Sequence, residues 1–93
     1  MAQNTTITAT PNAWTLLTNS DVTSVTFQNT SGYHAMISGT TGATEPSSQS
    51  GAIRYNPGQG ERNVAMSDLF PGITAVRVWV LASEAISVMV SHA

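Results

Sequence analysis

The chain contains neither cysteine nor lysine among its 93 residues. Without cysteine no disulfide braces it, so nothing indicates secretion and a reducing compartment is tolerated. Without lysine its positive charge rests on Arg54, Arg62 and Arg77, against five acids, for a net charge of −2. Three arginines are too few to displace counterions along a phosphate backbone, which excludes a broad nucleic-acid surface. They are also too few for the basic face of an amphipathic membrane helix. No apolar run reaches the roughly 18 residues that a membrane span requires. The opening Met1-Ala2-Gln3-Asn4-Thr5-Thr6 has no basic region and no apolar stretch, so a signal peptide is not expected. The glycosylation patterns at Asn4-Thr5-Thr6 and Asn29-Thr30-Ser31 are therefore read as chance. Charged residues make up 9% of the chain, against roughly 25% in ordinary globular domains. A surface so poor in charge has little to desolvate when it packs against another.

What is present argues for one folded domain over residues 1–93. Apolar residues are 41% of the chain, too many for a disordered segment. A chain of this size buries roughly 60–65% of the surface its unfolded form exposes, enough for one modest core. Thirteen threonines and eleven serines, interleaved with Val and Ile, favour strands over helices. Period-two alternation marks Thr5–Thr10, Ala13–Thr18, Val22–Asn29, Tyr33–Gly39, Ala75–Ala82 and Ala85–His92. Short strands at Ala52–Tyr55 and Arg62–Met66 flank the turn Asn56-Pro57-Gly58-Gln59-Gly60. Ser67-Asp68-Leu69-Phe70 reads as a single helical turn capped by Ser67, with Leu69 and Phe70 plugging the core and Pro71-Gly72 ending it. Thr40–Ser50 has no apolar residue larger than Ala and is expected to be a solvent loop. About eight short strands predict an all-β fold, a small antiparallel β-sandwich or jelly-roll-like barrel. Ala2–Thr6, within residues 1–6, is expected to be a flexible N-terminal arm.

Catalytic motifs are weak. Gly58-Gln59-Gly60 is followed by no helix and no Lys-Ser/Thr pair, so it is better explained as turn chemistry than as a phosphate loop. His34 or His92 with Asp21 or Asp68 supplies the parts of a serine hydrolase on paper, but no Gly-x-Ser-x-Gly elbow is present. Two histidines without cysteine make a poor metal set. Among Asp21, Glu45, Glu61, Asp68 and Glu84 no carboxylate pair stands out. The expectation is no enzyme, no cofactor and no metal.

Charge is instead concentrated in one place: Arg54, Glu61, Arg62 and Asp68 fall within positions 54–68, beside the Asn56–Gly60 turn. Two readings stand. The four charges form ion pairs within the chain that pin the turn, each worth roughly 0–1 kcal/mol; or they pair across a symmetry axis with acids and arginines of another copy. A second candidate surface is the row Arg77, Trp79 and Leu81 on one face of the most apolar strand, a composition enriched at protein interfaces. The expected contact residues are Arg54, Glu61, Arg62, Arg77 and Trp79. Trp14, Tyr33, Tyr55 and Trp79 supply the aromatics for a sugar platform, although aromatics at strand spacing more often belong to a core.

The segment Gly51-Ala52-Ile53-Arg54-Tyr55-Asn56-Pro57-Gly58-Gln59-Gly60-Glu61-Arg62, with Leu69-Phe70-Pro71-Gly72 and Val76-Arg77-Val78-Trp79-Val80, resembles small virion structural proteins of tailed bacteriophages. That resemblance implies an all-β, non-catalytic capsid decoration or cement protein. It also implies residence in the virion, the major capsid protein as partner, and self-association, most often as a trimer. No nucleic-acid or membrane partner is expected. The alternative is a head- or tail-fibre module that binds a host-surface glycan or protein through Tyr33, Tyr55 and Thr40–Ser50.

Overall fold

Strict alternation of β-branched and hydroxyl residues leaves one face of each segment apolar, and two such faces must close on each other. The computed structural model, which describes residues 2–93, shows how they do so. Its elements are β1 (Gln3–Ala9), β2 (Thr15–Leu16), β3 (Ser24–Asn29), β4 (Ala35–Thr40), β5 (Ile53–Tyr55), β6 (Gly60–Ala65), α1 (Met66–Leu69), β7 (Arg77–Leu81) and β8 (Ile86–His92). Two four-stranded antiparallel sheets result, ordered β1-β8-β3-β6 and β2-β7-β4-β5. β1 pairs with β8, β2 with β7, β3 with β6 and β4 with β5. Such pairing describes one long hairpin rolled over, so that β8 also meets β3 and β7 also meets β4. The topology is that of an eight-stranded jelly roll.

Between the sheets, Val25 and Phe27 of β3 and Ile86, Val88 and Val90 of β8 meet Ala35 and Ile37 of β4 and Val78 and Val80 of β7. Met66 and Leu69 of α1, followed by Phe70, close one end of this core. No side chain caps α1; its N-cap is Ala65, so Ser67 does not have the capping role expected of it. The β-strand continues through Ala65 directly into the helix, and Met66 N–H donates instead to the carbonyl of Thr23 at 2.8 Å.

Two other expectations are corrected. Ala13–Thr18 forms a ladder only at Thr15–Leu16. Beyond it Leu17 N–H still reaches Val78 O (2.9 Å), while its side chain turns into the core in place of Trp14 or Leu16. Residues 3–6 are not a free arm: they form the first half of β1, with Gln3 opposite His92 and Thr6 opposite Met89. The Gln3 side chain anchors the strand, donating to Leu17 O and accepting from Asn19 N–H. Met1 lies outside the described residues. Among the described residues no helix is long and apolar enough to cross a membrane.

One buried polar residue ties the two sheets together. Asn29 ends β3 and is 2% exposed. Its Nδ2 donates to Tyr33 O (2.7 Å) and Tyr55 O (3.2 Å), and its Oδ1 accepts from Ser31 N–H (3.1 Å) and Ser31 Oγ (2.7 Å). Its backbone N–H donates to Gln59 O, and its carbonyl accepts from Gly58 N–H. All four side-chain hydrogen-bonding positions of the amide are thus used. With that amide saturated, the Asn29-Thr30-Ser31 pattern has no free nitrogen to modify in the folded chain.

Replacing Asn29 by Ala takes the Nδ2 donor from the buried Tyr55 carbonyl and the acceptor from Ser31 N–H, while Tyr33 O keeps Ser31 Oγ at 3.1 Å. Each buried group left without a partner costs roughly 1–3 kcal/mol. Asn29→Ala is expected to lower stability by about 3 kcal/mol in urea unfolding with an unchanged m-value. A loss below about 1 kcal/mol would show that water replaces the amide.

Candidate assembly surface

β5 and β6 are consecutive, yet β5 is the edge of one sheet and β6 the edge of the other. The Asn56–Gln59 turn therefore crosses a whole flank of the sandwich. Pro57 presets one central position and Gly58, at φ 83°, occupies the other, while Gln59 N–H closes on Asn56 O at 3.0 Å: a type II turn. Asn29 holds it from below through Gly58 and Gln59, and Gln28 Nε2 donates to Gly58 O at 3.0 Å. The side chain of Gln59 folds back to accept from Asn56 N–H. Gly60 serves a different purpose. A Cβ there would run into the carbonyl of Phe27 and the Cα of Gln28, so only glycine lets β6 approach β3 this closely.

Along this flank, Arg54 lies opposite Met36 on β5 and is exposed between the inward-facing Ile53 and Tyr55. Tyr55 packs edge-on against Phe27, with ring centroids 5.0 Å apart at 86°. Its hydroxyl donates to Glu61 Oε2 at 3.0 Å, linking the two edge strands across the sandwich. After Glu61 the ladder slips: Val25 pairs with Val64 but Phe27 with Glu61, so β6 carries one extra residue. Asn63 absorbs it at φ 46°, its N–H donating to Thr26 Oγ1. The resulting β-bulge, with Arg62 and Asn63 both exposed, bends the edge. Asp68 is exposed on α1, which follows β6 without a break.

Among the described residues the sole ion pair is Arg77 Nε to Asp21 Oδ1 at 2.8 Å. Intrachain pairing of Arg54, Glu61, Arg62 and Asp68 is thus overturned: their strands face different ways, and Glu61 is engaged by Tyr55 instead. Arg77 is spent inside the chain, fastening the β2–β3 connection to β7. Trp79 is not exposed either. It is 7% accessible, lies between Leu16 and Ser38 on the outer face of β7, and donates from Nε1 to Thr40 Oγ1 at 2.8 Å. The long connection of residues 41–52 returns across this face, bringing Glu45–Gln49 beside Trp14 and Leu81. Most of this connection is exposed, as expected of a solvent loop, with Pro46 half-buried. Two of the five expected contact residues, Arg77 and Trp79, are therefore accounted for by the fold, and Arg54 and Arg62 are left as open charges.

The remaining sequence candidates are scattered. His92 is buried, with Nε2 3.1 Å from Gln3 Oε1 and Nδ1 3.0 Å from Ala93 O, and His34 is exposed. No group of three His, Asp or Glu residues converges among the described residues. Tyr55 lies in the core and Trp79 is buried beside Leu16, Ser38 and Thr40, so the four aromatics do not form a platform. Only Tyr33 is strongly exposed, at 53%. Comparison with protein-family models, with curated proteins and with solved structures finds no match.

Burial, then the hydrogen bond and the charge of Glu61, hold the Tyr55 phenol above its ordinary range. The unfolded chain therefore releases this proton first, near pH 10. The stabilisation is complete below about pH 10 and is lost as the pH climbs toward the folded-state value. Urea midpoints of the wild type are expected to fall on going from pH 9 to pH 11.5, and those of Tyr55→Phe to fall less. Equal slopes would place the alkaline loss elsewhere.

Proposed function

We propose that this chain is a virion structural protein, a capsid decoration or cement protein that bridges neighbouring shell subunits through its β5–β6 flank. The observation that carries this reading is that Arg54 on β5 and Arg62 on β6, either side of a rigid turn, are exposed and have no carboxylate partner among the described residues, whereas Arg77 is paired with Asp21. An arginine presents a planar fork of donors suited to a carboxylate of another chain, and is enriched at interfaces for that reason. The turn between the two is fixed by Asn29, Gln28 and Gly58, so little ordering entropy is lost on docking. The jelly roll supports the reading as a fold common in capsid components, which is an argument by analogy alone. A protein that binds only the assembled lattice shifts the equilibrium toward assembly by mass action. The major capsid protein is the proposed partner, with further copies of this chain alongside it; a trimer rests on the resemblance alone.

The fibre-module alternative keeps Tyr33 as its one exposed aromatic and loses Tyr55 to the core. Copy number separates the two readings: cement occurs in hundreds per particle, a fibre part in a few tens or fewer.

Particles stripped of the protein are expected to lose heat or osmotic resistance and to regain it when the wild-type chain is added back. The double reversal Arg54→Glu/Arg62→Glu is expected to lose retention at least tenfold while its own unfolding midpoint stays within about 0.5 kcal/mol of wild type. Stripped particles that are as resistant as intact ones would falsify the cement role. Full retention of the double variant would remove the flank from it.

A further inference from the structure

Two sheets leave four edges, and three of them are guarded. β2 has two residues, and β5 has three and carries Arg54. β6 is bent by its bulge and bears Glu61 and Arg62. Short length, charge and bulges are the ways in which sheet edges are kept from pairing with other chains. β1 has none of them. It is seven residues long, QNTTITA, with no charge, proline or glycine. Its pairing with β8 runs unbroken from Gln3↔His92 to Ala9↔Ile86. On its other side, among the described residues, no backbone hydrogen bond engages residues 3–9. Alternate N–H and C=O groups of β1 therefore point outward unpaired.

We propose that β1 pairs antiparallel with β1 of a second copy, about a two-fold axis at Thr6, joining two four-stranded sheets into one of eight strands. The strand is self-complementary in that arrangement. Thr6 meets Thr6, Asn4 of one copy faces Thr8 of the other, and Thr5 faces Ile7. Residues of the exposed face then meet residues of the exposed face, and the half-buried Ile7 gains cover at the seam. No charge is desolvated, and threonine pairs across antiparallel strands are favourable contacts. The edge is also preformed: Gln3 is bonded to Leu17, Asn19 and His92, which holds the outer end of β1 in place before any partner arrives. A second copy fits this edge because the two-fold register sets exposed, uncharged Asn4, Thr6 and Thr8 opposite one another with no charge or clash. This inference stands apart from the capsid reading, since it uses the opposite flank of the sandwich and leaves Arg54 and Arg62 free.

The absence of native cysteine gives a direct test. Facing residues of antiparallel strands have Cα atoms roughly 4.5–5.5 Å apart, inside the roughly 4.4–6.8 Å that a disulfide spans. Thr6→Cys is expected to oxidise to a covalent dimer at least tenfold faster than Thr44→Cys, a control on the exposed β4–β5 connection. Sedimentation of the wild type is expected to show a concentration-dependent monomer–dimer equilibrium. Thr6→Lys, which sets two like charges face to face, is expected to remain monomeric with an unchanged unfolding midpoint, and to dimerise again when mixed with Thr6→Glu. A wild type that is monomeric up to about 1 mM, or one that is a trimer, overturns the proposal. So does a Thr6→Cys variant that crosslinks no faster than Thr44→Cys.

Discussion

The Asn29 amide is the interaction on which the β5–β6 flank depends. A jelly roll has two sheets with no hydrogen bonds between them, so their relative position is set by side-chain packing, which is tolerant of small slips. Asn29 removes that tolerance at one end. It sits at the last residue of β3 in one sheet and donates to carbonyls just before β4 and at the end of β5 in the other. Its own backbone then fixes the turn that leads into β6. A buried polar group is costly when half-satisfied and specifies geometry when complete; here it is complete. The aromatic contact of Phe27 with Tyr55 and the hydroxyl bond from Tyr55 to Glu61 lie directly beside it.

This anchoring gives the molecule two unlike flanks. At β5–β6 the edges are short or bulged and carry the open arginines, and the contact proposed there is directed charge onto a partner that supplies acids. At β1 the edge is long, regular and uncharged, and the contact proposed there is backbone pairing. The other exposed charges, Asp21, Glu45, Asp68 and Glu84, are all acids, so Arg54 and Arg62 differ in sign from the charges around them.

Much of the fold was legible because alternation is strong. Each of the eight strands overlaps a segment placed by alternation or by the flanking turn, although β1 and β6 begin earlier and β2 is shorter than expected. Ile86, Val88 and Val90 face inward while Ser87, Met89 and Ser91 do not. Where the ladder ends early the pattern misleads, as at Leu17, whose side chain is turned inward by a backbone bond to Val78 that no local periodicity encodes. The site was legible only in part. Clustered charge is visible in the sequence; whether those charges pair depends on β5 and β6 belonging to different sheets, which is a property of topology. Trp79 was misread because its neighbours Leu16, Ser38 and Thr40 come from strands distant in sequence, the hydrogen-bonded Thr40 lying 39 residues earlier. Asn29 was placed only as the end of the Val22–Asn29 strand, because one of its partners, Tyr55, is 26 residues away. The unguarded edge of β1 could be recognised only once the other three edges were known.

The central claim is that the Asn29-anchored β5–β6 flank is the surface presented to a shell. A cryo-EM map of intact particles bearing this protein tests it most directly. The account predicts density in which Arg54 and Arg62 meet acidic side chains of the capsid lattice. A map with that flank facing solvent, and the protein seated by another surface, would contradict it.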